Sequence, residues 1–154
     1  MSQVRRRSVE TQFGTLCLVE EAGAIVKLDW GVSGATDPSE VLDHAEVQML
    51  AYNLGELEQF DLPLYVKGTA FQREVCDAIS AIPFGYTRTY GEIAKDLGVP
   101  AQAVGQACGG NPIAIIIPCH RVMGAKGLTG FSGAGGVETK VALLRHEGAA
   151  GLLI

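Results

Sequence analysis

The chain has 154 residues, 47% of them hydrophobic and 19% charged, with a formal net charge of −5. That is the composition of a globular protein with room for one ordinary domain or two small ones. No run approaches the roughly 18 apolar residues of a membrane helix. The basic start through Arg5-Arg6-Arg7 leads into charged, alternating sequence rather than the apolar stretch of a secretory signal. Cys17, Cys76, Cys108 and Cys119 have neither disulfide-framework nor zinc spacing, so a reducing cytoplasm is expected.

Charge is unevenly distributed. Residues 1–62 carry four basic and eleven acidic side chains, whereas residues 63–154 carry eight basic and six acidic ones. A mildly basic second half can approach phosphates despite the acidic total, although ordinary solvated surface accounts for the charges equally well.

The runs Leu16-Cys17-Leu18-Val19 and Ile25-Val26-Lys27-Leu28, broken at Phe13-Gly14 and Glu21-Ala22-Gly23, predict an antiparallel meander ending near Trp30. Arg5-Arg6-Arg7 ahead of it reads as a solvated tail. Asp37-Pro38-Ser39-Glu40 reads as an N-cap, a proline at N1 and a glutamate at N3. The helix that follows is expected to bury Ala45, Leu50, Leu54 and Leu57. Pro63 marks a linker over 59–67, and domains are expected at 1–62 and 63–154.

Thr69-Ala70-Phe71-Gln72 forms a second helix start, with Phe71, Val75, Ile79 and Ile82 as its apolar stripe. A third, Thr89-Tyr90-Gly91-Glu92, opens a helix through about Leu97. Gly98-Val99-Pro100 interrupts it before a short helix from Ala101 to Cys108, giving a helix-turn-helix candidate. Many helical hairpins bind nothing, so this signal is weak alone. The small residues of the second helix suit close approach to a nucleic-acid groove or to another helix. Asn111-Pro112 ends it, with Asn111 placed to hold the turn.

The chemistry centres on Pro118-Cys119-His120-Arg121-Val122, entered from Ile113-Ala114-Ile115-Ile116-Ile117. A cysteine is a strong nucleophile as its thiolate, and a nearby histidine is a simple means of making one. In extended chain neighbouring side chains point to opposite faces, so a bridging water is expected between Cys119 and His120. Glu147, in Leu144-Arg145-His146-Glu147-Gly148, is placed to orient the imidazole and complete a Cys/His/Glu relay. On Cys119 and His120 alone an inert, packed thiol is the commoner outcome. A glycine-rich loop from Gly124 to Gly136 follows, suited to close ligand approach or merely to surface turns, before a final helix from Val137 to Arg145.

Read together, these motifs resemble the O6-alkylguanine-DNA alkyltransferase family, the self-inactivating methylated-DNA-protein-cysteine methyltransferases. The likeness runs from Gly68 to Gly148 through Thr89-Tyr90-Gly91-Glu92-Ile93-Ala94, Ala103-Val104-Gly105, Gly110-Asn111-Pro112, Pro118-Cys119-His120-Arg121-Val122, Phe131-Ser132-Gly133 and His146-Glu147-Gly148. It implies an α/β (α+β) protein with a small ribonuclease-H-like N-terminal domain and a mostly helical, winged-helix-like catalytic domain. By the same resemblance Cys119 takes an alkyl group from O6-alkylguanine in double-stranded DNA, His120 acts through water as base, Glu147 orients it and Asn111 stabilises the turn. Tyr90 would donate to the extruded guanine, the Ser132 amide would face O6, and the carbonyls of Cys119 and Val122 would accept from the exocyclic amine.

The resemblance also implies a monomer, entry of the second helix into the minor groove with Gln102, Ala103 and Gly105 at the interface, Arg121 and Phe131 among the substrate-facing residues, and no cofactor or metal. O4-alkylthymine stays open as a second substrate. Gln102 stands where relatives commonly carry an intercalating arginine, and Phe131 where they often carry tyrosine. Glutamine lacks the planar cation that stacks and neutralises phosphate charge, so slower base extrusion or weaker binding is expected. The alternative reading is a non-catalytic module that recognises the lesion, against which stands the presence of Cys119.

Overall fold

The computed structural model describes residues 3–124 and 136–149. It divides into two compact units, Met1–Lys67 and Gly68–Ile154. In the first, β1 (Val4–Thr11), β2 (Gly14–Glu21) and β3 (Ala24–Trp30) form an antiparallel sheet in the order β1-β2-β3. The expected meander is present. Ala22 and Gly23 both take positive φ, 53° and 83°, which matches the twist a two-residue hairpin needs between β2 and β3. Arg5-Arg6-Arg7 is part of β1 rather than a tail, because Arg7 is held by Glu46 at 2.8 Å and Asp43 at 3.0 Å.

Helix α1 (Glu40–Asn53) packs on this sheet and starts at a different cap from the one expected. Asp37 is pinned to β1, its carboxylate accepting from Arg6 N at 2.9 Å and its own N–H donating to Arg6 O at 3.0 Å. Ser39 therefore caps the helix, accepting from Leu42 N while its hydroxyl donates to the buried Glu20 carboxylate at 2.7 Å. The buried face is Leu42, Ala45, Met49 and Tyr52. Leu50 and Leu54, expected inside, are 38% and 70% exposed, because only the turn-by-turn positions from Leu42 face the sheet. Residues 63–65 also belong to this unit: Ile25 N donates to Pro63 O at 2.8 Å and Tyr65 N to Ile25 O at 3.0 Å, so the stretch expected to be a linker binds β3.

The second unit begins with α2 (Ala70–Ser80), capped by Thr69. Its Gln72 does not complete a capping box; the side chain instead donates to Ala107 O at 2.6 Å, fastening α2 to the helix that carries Ala107. A two-residue β4 (Arg88–Thr89) leads into α3 (Tyr90–Leu97), where Thr89 and Glu92 make the full reciprocal box. Gly98, at φ 68°, ends α3, and α4 (Ala101–Gly109) follows and packs on it. β5 (Val122–Met123) pairs in parallel with β4, and α5 (Val137–His146) closes the described chain. Val75, Ile79, Ile82, Ile93, Val104, Ile113, Leu143 and Leu144 form the buried interior.

Candidate active site

The approach to Cys119 is a buried turn that Asn111 clamps from both sides. Its Nδ2 donates to Ile117 O at 2.9 Å while its Oδ1 accepts from Ile113 N at 3.0 Å, and Ile117 N closes onto Ile113 O at 2.9 Å. Within that turn Ile115 adopts φ 73°, a left-handed conformation that a β-branched residue normally avoids. Such strain costs about 1–3 kcal/mol and persists only where neighbours over-determine it. From there Cys119 N donates to Ile117 O at 2.8 Å, and Cys119–Arg121 form a single 3-10 turn instead of the extended segment expected.

The turn sends the side chains of this segment into different parts of the interior. His120 Nε2 lies 2.7 Å from Glu147 Oε2, and both groups are fully buried. Arg121 binds the same carboxylate through Nε at 2.8 Å and Nη2 at 3.1 Å, donates from Nη1 to Ile82 O at 2.6 Å, and sits 5.9 Å from the centroid of the Phe84 ring. Gly85 adopts φ 86°, a left-handed conformation that favours glycine, and a Cβ there would make ordinary contact with the Glu147 backbone oxygen at 3.4 Å. Burial holds the His120 pKa below the ordinary imidazole value, with Glu147 opposing. Burial thus favours the neutral ring, and Arg121 is the cation that balances Glu147.

A second cation, Lys140 on α5, is fully buried and donates to Val122 O at 2.6 Å. Desolvation lowers its pKa, and the thiols of Cys108 and Cys119 oppose that shift. Cys119 is only 3% exposed, yet its pKa is lowered: hydrogen bonding from the Cys108 thiol is the largest cause, desolvation opposes it, and Asn111 and Lys140 assist. Cys108 moves the other way, raised first by that same contact and then by burial. Cys119 and Lys140 each favour the charged form of the other, while Arg121 and Glu147 pair between themselves.

Cys119, His120, Asn111, Glu147, Arg121 and Val122 are thus gathered around one turn. Tyr90 opens α3 directly after Thr89, the partner of Met123 in the β4–β5 pairing. Gln102 is exposed on α4, with Ala103 and Gly105 half-buried beside it. Arg121, expected to face the substrate, lies inside the fold at 6% exposure. Phe131 and Ser132 lie outside the described residues.

The family described as 6-O-methylguanine DNA methyltransferase, DNA binding domain, matches residues 70–149. A methylated-DNA-protein-cysteine methyltransferase from Mycolicibacterium paratuberculosis is 42% identical over 154 residues, spanning 94% of this chain and 92% of the relative. The chain belongs to the methylated-DNA-protein-cysteine methyltransferase family. A second methylated-DNA-protein-cysteine methyltransferase, from Methanosarcina acetivorans, is 53% identical over 112 residues, 71% of this chain and 70% of that one. The crystal structure of Mycobacterium tuberculosis O6-methylguanine methyltransferase superposes with a TM-score of 0.84 at 42% identity, covering 95% of this chain and 93% of that one. The same organism's OGT in complex with DNA gives 0.83 at 42% identity, covering 94% and 92%. The mixed α/β fold is therefore that of solved methyltransferases.

Within this methyltransferase, sequence reasoning overlooked Lys140 and took Cys108 for a packing residue. The signal for Lys140 was its place on the stripe of α5 that also carries Leu143 and Leu144, where a charged side chain must find a buried partner. Cys108 shares the buried stripe of α4 with Val104 and Ala107. Nothing in the spacing marks its thiol as a donor. Among the described residues no cluster of three or more His, Cys, Asp or Glu is arranged to hold a metal, and no helix is long and apolar enough to cross a membrane.

Proposed function

We propose that the chain is a single-turnover DNA repair protein that transfers an alkyl group from O6-alkylguanine in double-stranded DNA to its own Cys119. The observation that carries this reading is the placing of the buried Cys119 at the end of the turn clamped by Asn111, beside the His120–Glu147–Arg121 network. In the transfer, the Cys119 sulfur forms a bond to the alkyl carbon as the carbon–O6 bond breaks, and the electron pair returns to the base. Tyr90, as a donor to the guanine, offsets the charge that develops there. His120 Nε2 is engaged with Glu147, so Nδ1, which is buried and bonds no protein group, is the nitrogen left to take the thiol proton through a water molecule. The thioether formed is not cleaved, and each molecule acts once.

The target atom lies within the duplex, so the nucleotide must be extruded at a cost of a few kcal/mol. We assign the contact to the minor groove and to the exposed side of α4, carrying Gln102, Ala103 and Gly105. A Cβ built at Gly105 meets nothing within 4 Å, so packing inside the protein does not require glycine there. Val122 O and Cys119 O are assigned to the guanine amine, Ser132 N–H to O6 and Phe131 to the pocket wall. On this reading the protein works as a cytoplasmic monomer, with a ribonuclease-H-like first unit and a winged-helix-like second one.

The test is incubation with a duplex carrying O6-methylguanine labelled in the methyl group. One equivalent of label on the Cys119 peptide, and none in Cys119→Ser, is the expected result. A lesion that is bound but left intact would overturn the transferase reading in favour of a recognition module.

A further inference from the structure

We propose that Arg121 is a positioning residue for the alkyl transfer: it shares the Glu147 carboxylate with His120 and so keeps the imidazole uncharged, with Nδ1 open to the thiol proton. The inference rests on the function proposed above and adds a group to it. Glu147 Oε2 meets His120 Nε2 at 2.7 Å and Arg121 Nη2 at 3.1 Å, while Oε1 accepts from Arg121 Nε at 2.8 Å. The guanidinium is held from its other side as well, where Nη1 donates to Ile82 O at 2.6 Å and the centroid of the Phe84 ring lies 5.9 Å from Cζ. All three side chains are buried, so salt screens them little. One carboxylate therefore serves two neighbours, and its charge can balance only one of them.

An ionised carboxylate only accepts, so Nε2 carries the ring proton toward Glu147 and Nδ1 holds the lone pair. A guanidinium keeps its proton in proteins, so it takes up the charge of Glu147 permanently. A second proton on His120 would then be a buried positive charge without a counter-charge, which is costly. Lys140 on α5 adds to that cost, and the buried thiols of Cys76 on α2 and Cys108 on α4 also stand around the Cys119–Arg121 turn. Burial lowers the His120 pKa most, Glu147 opposes it, and Arg121 and Lys140 lower it further. Without Arg121, a protonated His120 becomes the partner that Glu147 needs, and Nδ1 is then a donor unable to take the thiol proton. A merely structural arginine would brace the fold without setting where that proton sits.

The experiment reads the ring nitrogens of His120 by NMR against pH in the full, histidine-labelled chain, with His120→Gln assigning the signals. Wild type, Arg121→Met and the double variant Arg121→Met/Glu147→Gln are compared. Wild type is expected to hold a neutral ring near neutral pH, its proton on Nε2. Arg121→Met should raise the midpoint by about one pH unit or more, whereas the double variant, with neither charge, should titrate no higher than wild type. The acid limb of single-turnover methyl transfer should move up with it in Arg121→Met, equivalent to about tenfold slower transfer below the midpoint. A wild-type imidazolium at neutral pH overturns the proposal, as does an unchanged midpoint or an unmoved acid limb in Arg121→Met. So does a double variant raised above wild type, a comparison that stands even if the single variant fails to fold. The titration needs no DNA, so it decides the charge of His120 even if wild-type protein fails to take label from methylated duplex, an outcome that would overturn the function instead.

Discussion

His120 is enclosed completely, with Glu147 on one nitrogen and burial holding its pKa under the usual 6.5. The folded chain therefore binds this proton less readily than the unfolded chain does. As pH falls through about 6.5 the unfolded state takes up the proton first, and stability declines from there toward the lower folded value. We expect unfolding free energy to fall between pH 7 and pH 5, and the fall to be shallower in His120→Gln, as measured by urea titration at each pH. Replacing Glu147 by Gln leaves Arg121 buried without its carboxylate, a loss of about 3–5 kcal/mol for breaking a buried pair, which the same titrations would read at neutral pH. The pairing of His120 with Glu147 next to Cys119 was legible in the sequence, because an imidazole and a carboxylate are recognisable partners by type and order. The burial of Lys140 and the contact of the Cys108 thiol with Cys119 O were not, because each depends on what a helix places beside it.

Helix α4 combines two demands that sequence alone could not separate. Its buried stripe, Val104, Ala107 and Cys108, serves the interior, while Gly105 has open space where a side chain would lie. Substituting alanine there should stabilise the protein by about 0.5–1 kcal/mol, the usual gain over glycine within a helix. Leucine at the same place should fold as well and bind duplex DNA at least tenfold more weakly. Thermal melts beside fluorescence anisotropy on a labelled duplex would check both, and undiminished DNA binding by Gly105→Leu would remove α4 from the interface. Helices α2 and α3 were readable from their caps and stripes, and α3 follows its capping box as expected. The start of α1 was not readable, since Asp37 is claimed by β1, a pairing across more than thirty positions that no local pattern announces.

Across the whole molecule the net charge is −5, and the second half of the sequence is the less acidic one. DNA affinity must then come from local contacts rather than from a broad basic surface. Gln102→Arg adds a cation at an exposed position of α4. We expect tighter duplex binding, a salt dependence steeper by about one released counter-ion, and faster single-turnover repair, with melting changed by less than about 0.5 kcal/mol. Equal affinity and equal repair rate would show that glutamine serves as well as arginine here. The chain divides after Lys67, and Pro63 and Tyr65, in the stretch the sequence marks as a linker, hydrogen-bond to β3, a contact that no local pattern announces. A last consequence concerns Ile115, whose left-handed backbone is held in place by the clamp of Asn111 and by burial on every side. The reactive segment therefore has no independent existence: loosening the interior would let Ile115 relax before the surrounding helices melt, so the capacity to accept an alkyl group is itself a gauge of native packing.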